Sequence, residues 1–202
     1  MEKNIEKEFE SNIEISARHV HLCKDDFVRL FGTDATLGKV RELSVVGEYL
    51  SDKSVSLVGA KRSFDKVSVL GPLRAETQVE ISRTDCFTIG EKNVPLRISG
   101  DLQGSAPIKI IGSVGEIDIK QGLIVAKRHL HISPADAKKY GVTGGDILTM
   151  KFDGERGGTF DNVIVRVANI LKPTVHLDTD EGNAISGNIG GKNITFCLLK
   201  KQ

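Results

Sequence analysis

Short runs of apolar, mostly β-branched residues recur along the chain: VSLVGA (55–60), KVSVL (66–70), TQVEIS (77–82), IKIIG (108–112), GLIVA (122–126), DILTMKF (146–152) and NVIVRVA (162–168). Each is bounded by Gly, Pro, Asp or Asn, as strands are. Many short strands with turn signals predict a sandwich or barrel. Two candidate helices follow the histidine pairs His19/His21 and His129/His131. In the second, Ser133 suits the N-cap, Pro134 the first helical position and Gly141 the stop. CKDDFVRLFG (23–32) is a first copy of the same element with a weaker cap. Gly144-Gly145-Asp146 reads as a tight turn into a strand. Residues 1–10 read as a tail; Ile5 and Phe9 would share a face if it were helical, and a frayed, solvated terminus outweighs a docking tag.

The pattern is written twice. ARHVHLCKDDFVRLFG (17–32) matches KRHLHISPADAKKYG (127–141), and FDKVSVL (64–70) matches FDNVIVR (160–166). Carried on without gaps, the second register lays QVEISRTD (78–85) over TVHLDTDE (174–181), so that Glu80 falls on His176. All five histidines of the chain are thereby accounted for. Each half offers His-x-His and one further metal-ligand type: His19, His21 and Glu80, then His129, His131 and His176. A repeat of this kind has to be found before the fold is assigned.

Composition narrows the classes. A net charge of +1, from 28 basic and 27 acidic residues, does not support a nucleic-acid binder. No apolar run approaches the ~20 residues that span a bilayer, and the charged N-terminus MEKNIEKEFE is no signal peptide. Cys23, Cys86 and Cys197 are far apart and odd in number, which reads as a reducing cytosol and not as a disulfide framework.

Residues i and i+2 of a strand share a side, so each histidine pair converges. Two imidazoles and a third side chain make a three-ligand site with an open position, the form of a catalytic zinc. Imidazole and carboxylate suit zinc, and other divalent metals remain open. A lone His-x-His is weak; two in equivalent repeats with a third ligand at equivalent positions are strong. Neither pair continues as His-x-His-x-Asp-His, as a metallo-β-lactamase-like site would. The chain is too short for an amidohydrolase barrel. Asp25 lies near a cupin-like spacing but reads as a charge at a helix N-terminus.

The segments SARHVHL, LGPLRAETQVEIS, RISGDL, VAKRHLHISPADA, GERGGTFDNVIVRV and VHLDTDEGNA resemble the phosphate acyltransferase family of the propanediol-utilisation type, from about residue 13 to 187. The resemblance implies a mainly β fold of two small β-barrel domains related by pseudo-twofold duplication, each with a short helix after its His-x-His strand. We place a first barrel repeat at about 11–95 and a second at about 96–202, with exchange of strands between barrels left open. It implies exchange of a short acyl group, acetyl or propanoyl, between coenzyme A and inorganic phosphate, with two zinc ions per chain. The two ligand sets that the repeat yields are the family's metal ligands. The family's phosphate contacts fall on Arg74, Gln78, Ser99, Arg166 and Asn183. Arg74 is also the candidate catalytic residue: it stands between Gly71-Pro72 and the strand carrying Glu80, and its planar fork matches phosphate oxygens. Arg18 and Arg128 precede ligands, point to the opposite face and read as structural. Asp178 and Asp180 share the face of His176 and are candidates for orienting ligand imidazoles. A homodimer, and residence in a bacterial microcompartment with shell association, follow from the resemblance alone. The alternative function is a dinuclear zinc metallohydrolase, which would need no coenzyme A. A metal-storage module and a structural shell component are further classes, and both leave the arginines without a role.

Overall fold

A computed structural model describes residues 8–154, 156–186 and 196–201. The helical reading of Ile5 lies outside the described residues, as does the side chain of Cys197. The chain divides into two units. The His19 unit is formed by Ala17–Leu43 and Gly47–Ala126; the His129 unit takes the N-terminal residues to Ser16, Ser44–Val46 and the chain from Lys127 onward.

In the His19 unit six strands close a ring. These are β4 (Tyr49–Val58), β5 (Ser63–Arg74), β2 (His19–Cys23), β6 (Gln78–Glu80), β9 (Glu116–Ala126) and β8 (Ala106–Ile111), which returns to β4. Two short strands lie outside the ring: β3 (Lys39–Glu42) on β4 and β7 (Leu96–Arg97) on β9. The His129 unit is a closed barrel of β1 (Phe9–Ser16), β13 (Thr174–Asp178), β10 (His129–Ile132), β12 (Gly158–Val167), β11 (Ile147–Phe152) and β14 (Phe196–Lys201). The two rings match strand for strand and sense for sense. Each His-x-His strand runs parallel to one neighbour, β5 or β12, and antiparallel to the strand carrying the third ligand, β6 or β13. That last strand is in turn parallel to β9 or β1.

The units do not follow the linear halves at 95/96. Leu96–Ala126 belongs to the His19 unit, and β1 belongs to the His129 unit. The reason is topological. In each copy the strand that precedes the histidine pair completes the other copy's ring, and a parallel neighbour cannot come from a tight hairpin. The tail reading also needs correction. Phe9 and Glu10 are already strand, and Phe9 is buried, its ring stacked on Tyr140 with centroids 4.3 Å apart.

All seven sequence-predicted strands are present. The helix after each histidine pair is present as well: α1 (Lys24–Phe31) and α3 (Pro134–Tyr140). Ser133 caps α3 by accepting from the Asp136 amide, and Gly141 ends it in the left-handed conformation, φ 73°. Cys23 precedes α1 without a side-chain cap, and Asp25 is a first-turn charge there. Two further helices follow the third-ligand strands, α2 (Arg83–Ile89) and α4 (Thr179–Ser186). Among the described residues no helix is long and apolar enough to cross a membrane.

Candidate metal centres

Strand alternation builds both centres. In β2, Val20 and Leu22 are fully buried among the apolar side chains of the His19 barrel, so His19 and His21 share the other face. In β10, Leu130 and Ile132 do the same for His129 and His131. Burying a Val or Leu is worth about 1.5–3 kcal/mol, and a slip of one residue would exchange the faces. The histidine pairs are thus held by their apolar neighbours. Register then brings in the third residue: His19 stands opposite Glu80, and His129 opposite His176. In each cluster the three ligand-type atoms lie within 4.8 Å of one another.

Each first histidine is oriented from behind. Nδ1 of His19 bonds the Ala17 carbonyl at 2.8 Å, and Nδ1 of His129 bonds the Lys127 carbonyl at 2.8 Å. Donation from Nδ1 turns Nε2 toward the cluster, which is how ligand imidazoles are usually set. Glu80 is oriented too. Its Oε1 accepts from the Ser99 hydroxyl at 2.7 Å and from the Gln78 amide, while Oε2 lies 3.7 Å from Nε2 of His19.

Burial and charge act differently on the three residues of the His19 cluster. Burial, with help from His19 and Arg74, pushes His21 far below the ordinary histidine range, so it is neutral near pH 7. Burial alone would also lower His19, but the Glu80 carboxylate outweighs it and the net shift is upward. Burial would raise Glu80; the charge and hydrogen bond of His19, then His21 and the Ser99 hydroxyl, overcome it and hold the carboxyl well below the usual range.

The donor sets fit a metal. Nε2 of His129 and Nε2 of His131 converge to 3.1 Å. Tetrahedral zinc with bonds of ~2.0–2.1 Å sets neighbouring ligands about 3.3 Å apart. Nδ1 of His21 is buried with no hydrogen-bond partner, and an unpaired buried group is costly. Three donors without thiolate leave a coordination position for a reactant.

The five phosphate candidates fall in different units. Arg74, Gln78 and Ser99 belong to the His19 unit, Arg166 and Asn183 to the His129 unit. Arg74 ends β5, close enough to lower the pKa of His21, and pairs with Glu48 at 3.0 Å. Its approach depends on Gly71, where an added Cβ would stand 2.2 Å from the Tyr49 ring. Gln78 and Ser99 are buried and bonded to each other at 2.9 Å as well as to Glu80. Arg166 is the register partner of His131, and Asn183 is exposed on α4. Asp178 caps α4, its Oδ1 accepting from the Glu181 amide at 2.8 Å. Three neighbours of these clusters had no sequence signal. Glu14 in β1 lies 3.7 Å and the Ser44 hydroxyl 3.4 Å from Nε2 of His176, and Glu48 holds Arg74.

A profile of the phosphate propanoyltransferase family matches residues 12–188. A phosphate propanoyltransferase of Clostridioides difficile is 46% identical over 180 residues, 89% of this chain and 86% of its own length. That of Thermotoga maritima is 46% identical over 177 residues, 87% and 84% of the two chains. That of Lachnoclostridium phytofermentans is 44% identical over 171 residues, 84% and 79%. With a profile match enclosing both histidine clusters and relatives alike over most of its length, the chain belongs to the phosphate propanoyltransferase family.

Proposed function

We propose that the protein is a zinc-dependent phosphate acyltransferase, with propanoyl preferred to acetyl: acyl-CoA + phosphate = acyl phosphate + CoA. The observation that carries this reading is that the family match encloses two equivalent three-donor clusters. The relatives' names support propanoyl as the acyl group.

In this reaction a phosphate oxygen attacks the thioester carbonyl carbon, the C–S bond breaks, and coenzyme A leaves as thiolate. Phosphate is a weak nucleophile and both reactants are anions, so position and positive charge govern the rate. Zinc ions, one on His19, His21 and Glu80 and one on His129, His131 and His176, would supply Lewis-acid charge for the reacting oxygen and the departing sulfur. Arg74 supplies a planar fork for phosphate oxygens. To do so it leaves Glu48, and both partners are about a third exposed, so that pair costs at most about 1 kcal/mol to break. Gln78, Ser99 and Asn183 add neutral donors, and Arg166 a second guanidinium. The homodimer and a microcompartment location rest on the family resemblance, and a cytosolic location on the three dispersed cysteines.

The test is coenzyme A release from propanoyl-CoA with and without phosphate, with the acyl phosphate trapped as its hydroxamate. Release is expected only with phosphate. Equal release without phosphate would replace this reading by the metallohydrolase.

A further inference from the structure

The arginine that precedes each histidine pair bonds a carboxylate and stacks on an aromatic ring in both units. Arg18 donates from Nε and Nη2 to the two carboxylate oxygens of Asp85, at 3.2 and 2.7 Å, and its guanidinium lies 4.2 Å over the Phe64 ring. Arg128 donates from Nε to Glu181 at 2.7 Å and lies 4.5 Å over the Phe160 ring. The duplicate register places Phe64 on Phe160 and Asp85 on Glu181. The same carboxylates also reach back to their helix starts. Asp85 accepts from the Ser82 amide at 3.3 Å, and Glu181 accepts from the Asp178 amide at 3.1 Å. Ser82 stands two residues after Glu80, and Asp178 two residues after His176.

Each carboxylate therefore ties two places together. One is the residue before the first histidine; the other is the residue two past the third ligand. These are the ends of the two antiparallel strands whose ligands stand opposite each other. The arginine also lies within the dipeptide whose carbonyl, Ala17 or Lys127, holds the histidine Nδ1. Movement of the arginine turns that carbonyl and with it the imidazole. Arg18 holds both oxygens of Asp85, while Arg128 divides its donors between Glu181 and the Asp161 carbonyl at 3.2 Å; a stacked guanidinium with two donors engaged resists such movement better than an ammonium does. The third ligand differs between the units, Glu80 against His176, yet the arginine, the carboxylate and the ring recur. A contact that served only to offset the local charge of one site would have no reason to recur behind the other.

We infer that Arg18 and Arg128 are positioning residues, each setting the metal affinity of the histidine cluster in its own unit through its carboxylate partner. This rests on the metal reading above. Metal ligands need placement within about 0.2 Å, and loss of outer supports lowers affinity about 10- to 100-fold.

The measurement is zinc affinity by competition with a chromophoric chelator, in a His129→Ala background that retains the His19 cluster. Arg18→Gln is expected to weaken that zinc about 10- to 100-fold. Arg18→Lys should recover part of the loss, and Arg128→Gln should leave it unchanged. Asp85→Asn removes the charge but keeps the helix-start geometry, so it should weaken zinc as well and serves if Arg18→Gln does not fold. In a His19→Ala background the two arginines exchange roles. A parent protein that takes up no zinc overturns the metal reading and this inference with it. Normal zinc uptake with affinity unchanged in Arg18→Gln and Asp85→Asn overturns this inference alone, as does equal weakening by Arg128→Gln.

Discussion

Glu80 and His176 occupy one position in two barrels: each stands directly opposite the first histidine of a His-x-His strand, His19 or His129. The pairing makes the two clusters separable. Zinc analysis of the purified protein should return about two ions per chain, and His19→Ala and His129→Ala should each lose one and abolish turnover. One ion or none after reconstitution with zinc would reject the two-site reading.

Arg74→Ala should raise the phosphate concentration needed for half-maximal rate and lower turnover. Stability should fall by no more than about 1 kcal/mol, because the lost ion pair with Glu48 is partly exposed. Lysine should restore only part of the activity, since a point charge cannot give two parallel bonds. An unchanged phosphate saturation curve in Arg74→Ala would remove Arg74 from the phosphate site.

Ser99→Ala separates two roles that the resemblance and the geometry give the same residue. Its hydroxyl donates to Oε1 of Glu80, a buried carboxylate. Leaving a buried charged group short of a donor costs about 1–3 kcal/mol or more. We expect one of the two zinc ions to be lost more readily on dialysis against chelator. If zinc retention is normal and only phosphate saturation shifts, Ser99 acts on phosphate alone.

The histidine pairs, their opposite partners and the helices after them could be read from sequence because each rests on local rules. Alternation fixes which side His19 and His21 face, and the Ser133–Pro134–Gly141 pattern marks a helix whatever lies around it. The helices α2 and α4 were missed although a capping pattern was there to find: Ser82 with Asp85, and Asp178 with Glu181. They are seven and eight residues long, like α3 and α1, so only a cap can announce them, and neither carries the Pro at the first position that marks α3. The strand β1 was read partly as tail because its role, completing the ring that holds His176, depends on a residue more than 150 positions away. The contacts of Glu14, Ser44 and Glu48 are of the same kind: no local pattern encodes a neighbour supplied by distant chain.

Cys23 is the nearest rival to direct attack by phosphate. A strand continued in strict alternation would put residues 19, 21 and 23 on one face, giving a fourth ligand or an acyl-enzyme nucleophile. The strand does run to Cys23, but the register with β5 shifts between His21 and Cys23. The extra residues lie in β5, where four positions separate Leu70 from Arg74 against two from His21 to Cys23. Cys23 serves as the residue before α1, and its amide is taken by the Thr77 hydroxyl at 3.0 Å. Its counterpart Ser133 does the capping that Cys23 leaves undone. Cys23→Ser should therefore keep both zinc ions and at least about a tenth of the turnover, a loss under ~1.4 kcal/mol. It should leave stability unchanged or raise it by up to about 1 kcal/mol, because serine can cap α1. Initial-rate kinetics should be sequential, with acyl-CoA and phosphate both bound before either product leaves. Recovery of a Cys23 peptide bearing the acyl group, or ping-pong kinetics that disappear in Cys23→Ser, would replace direct attack by a covalent route and leave the overall exchange intact.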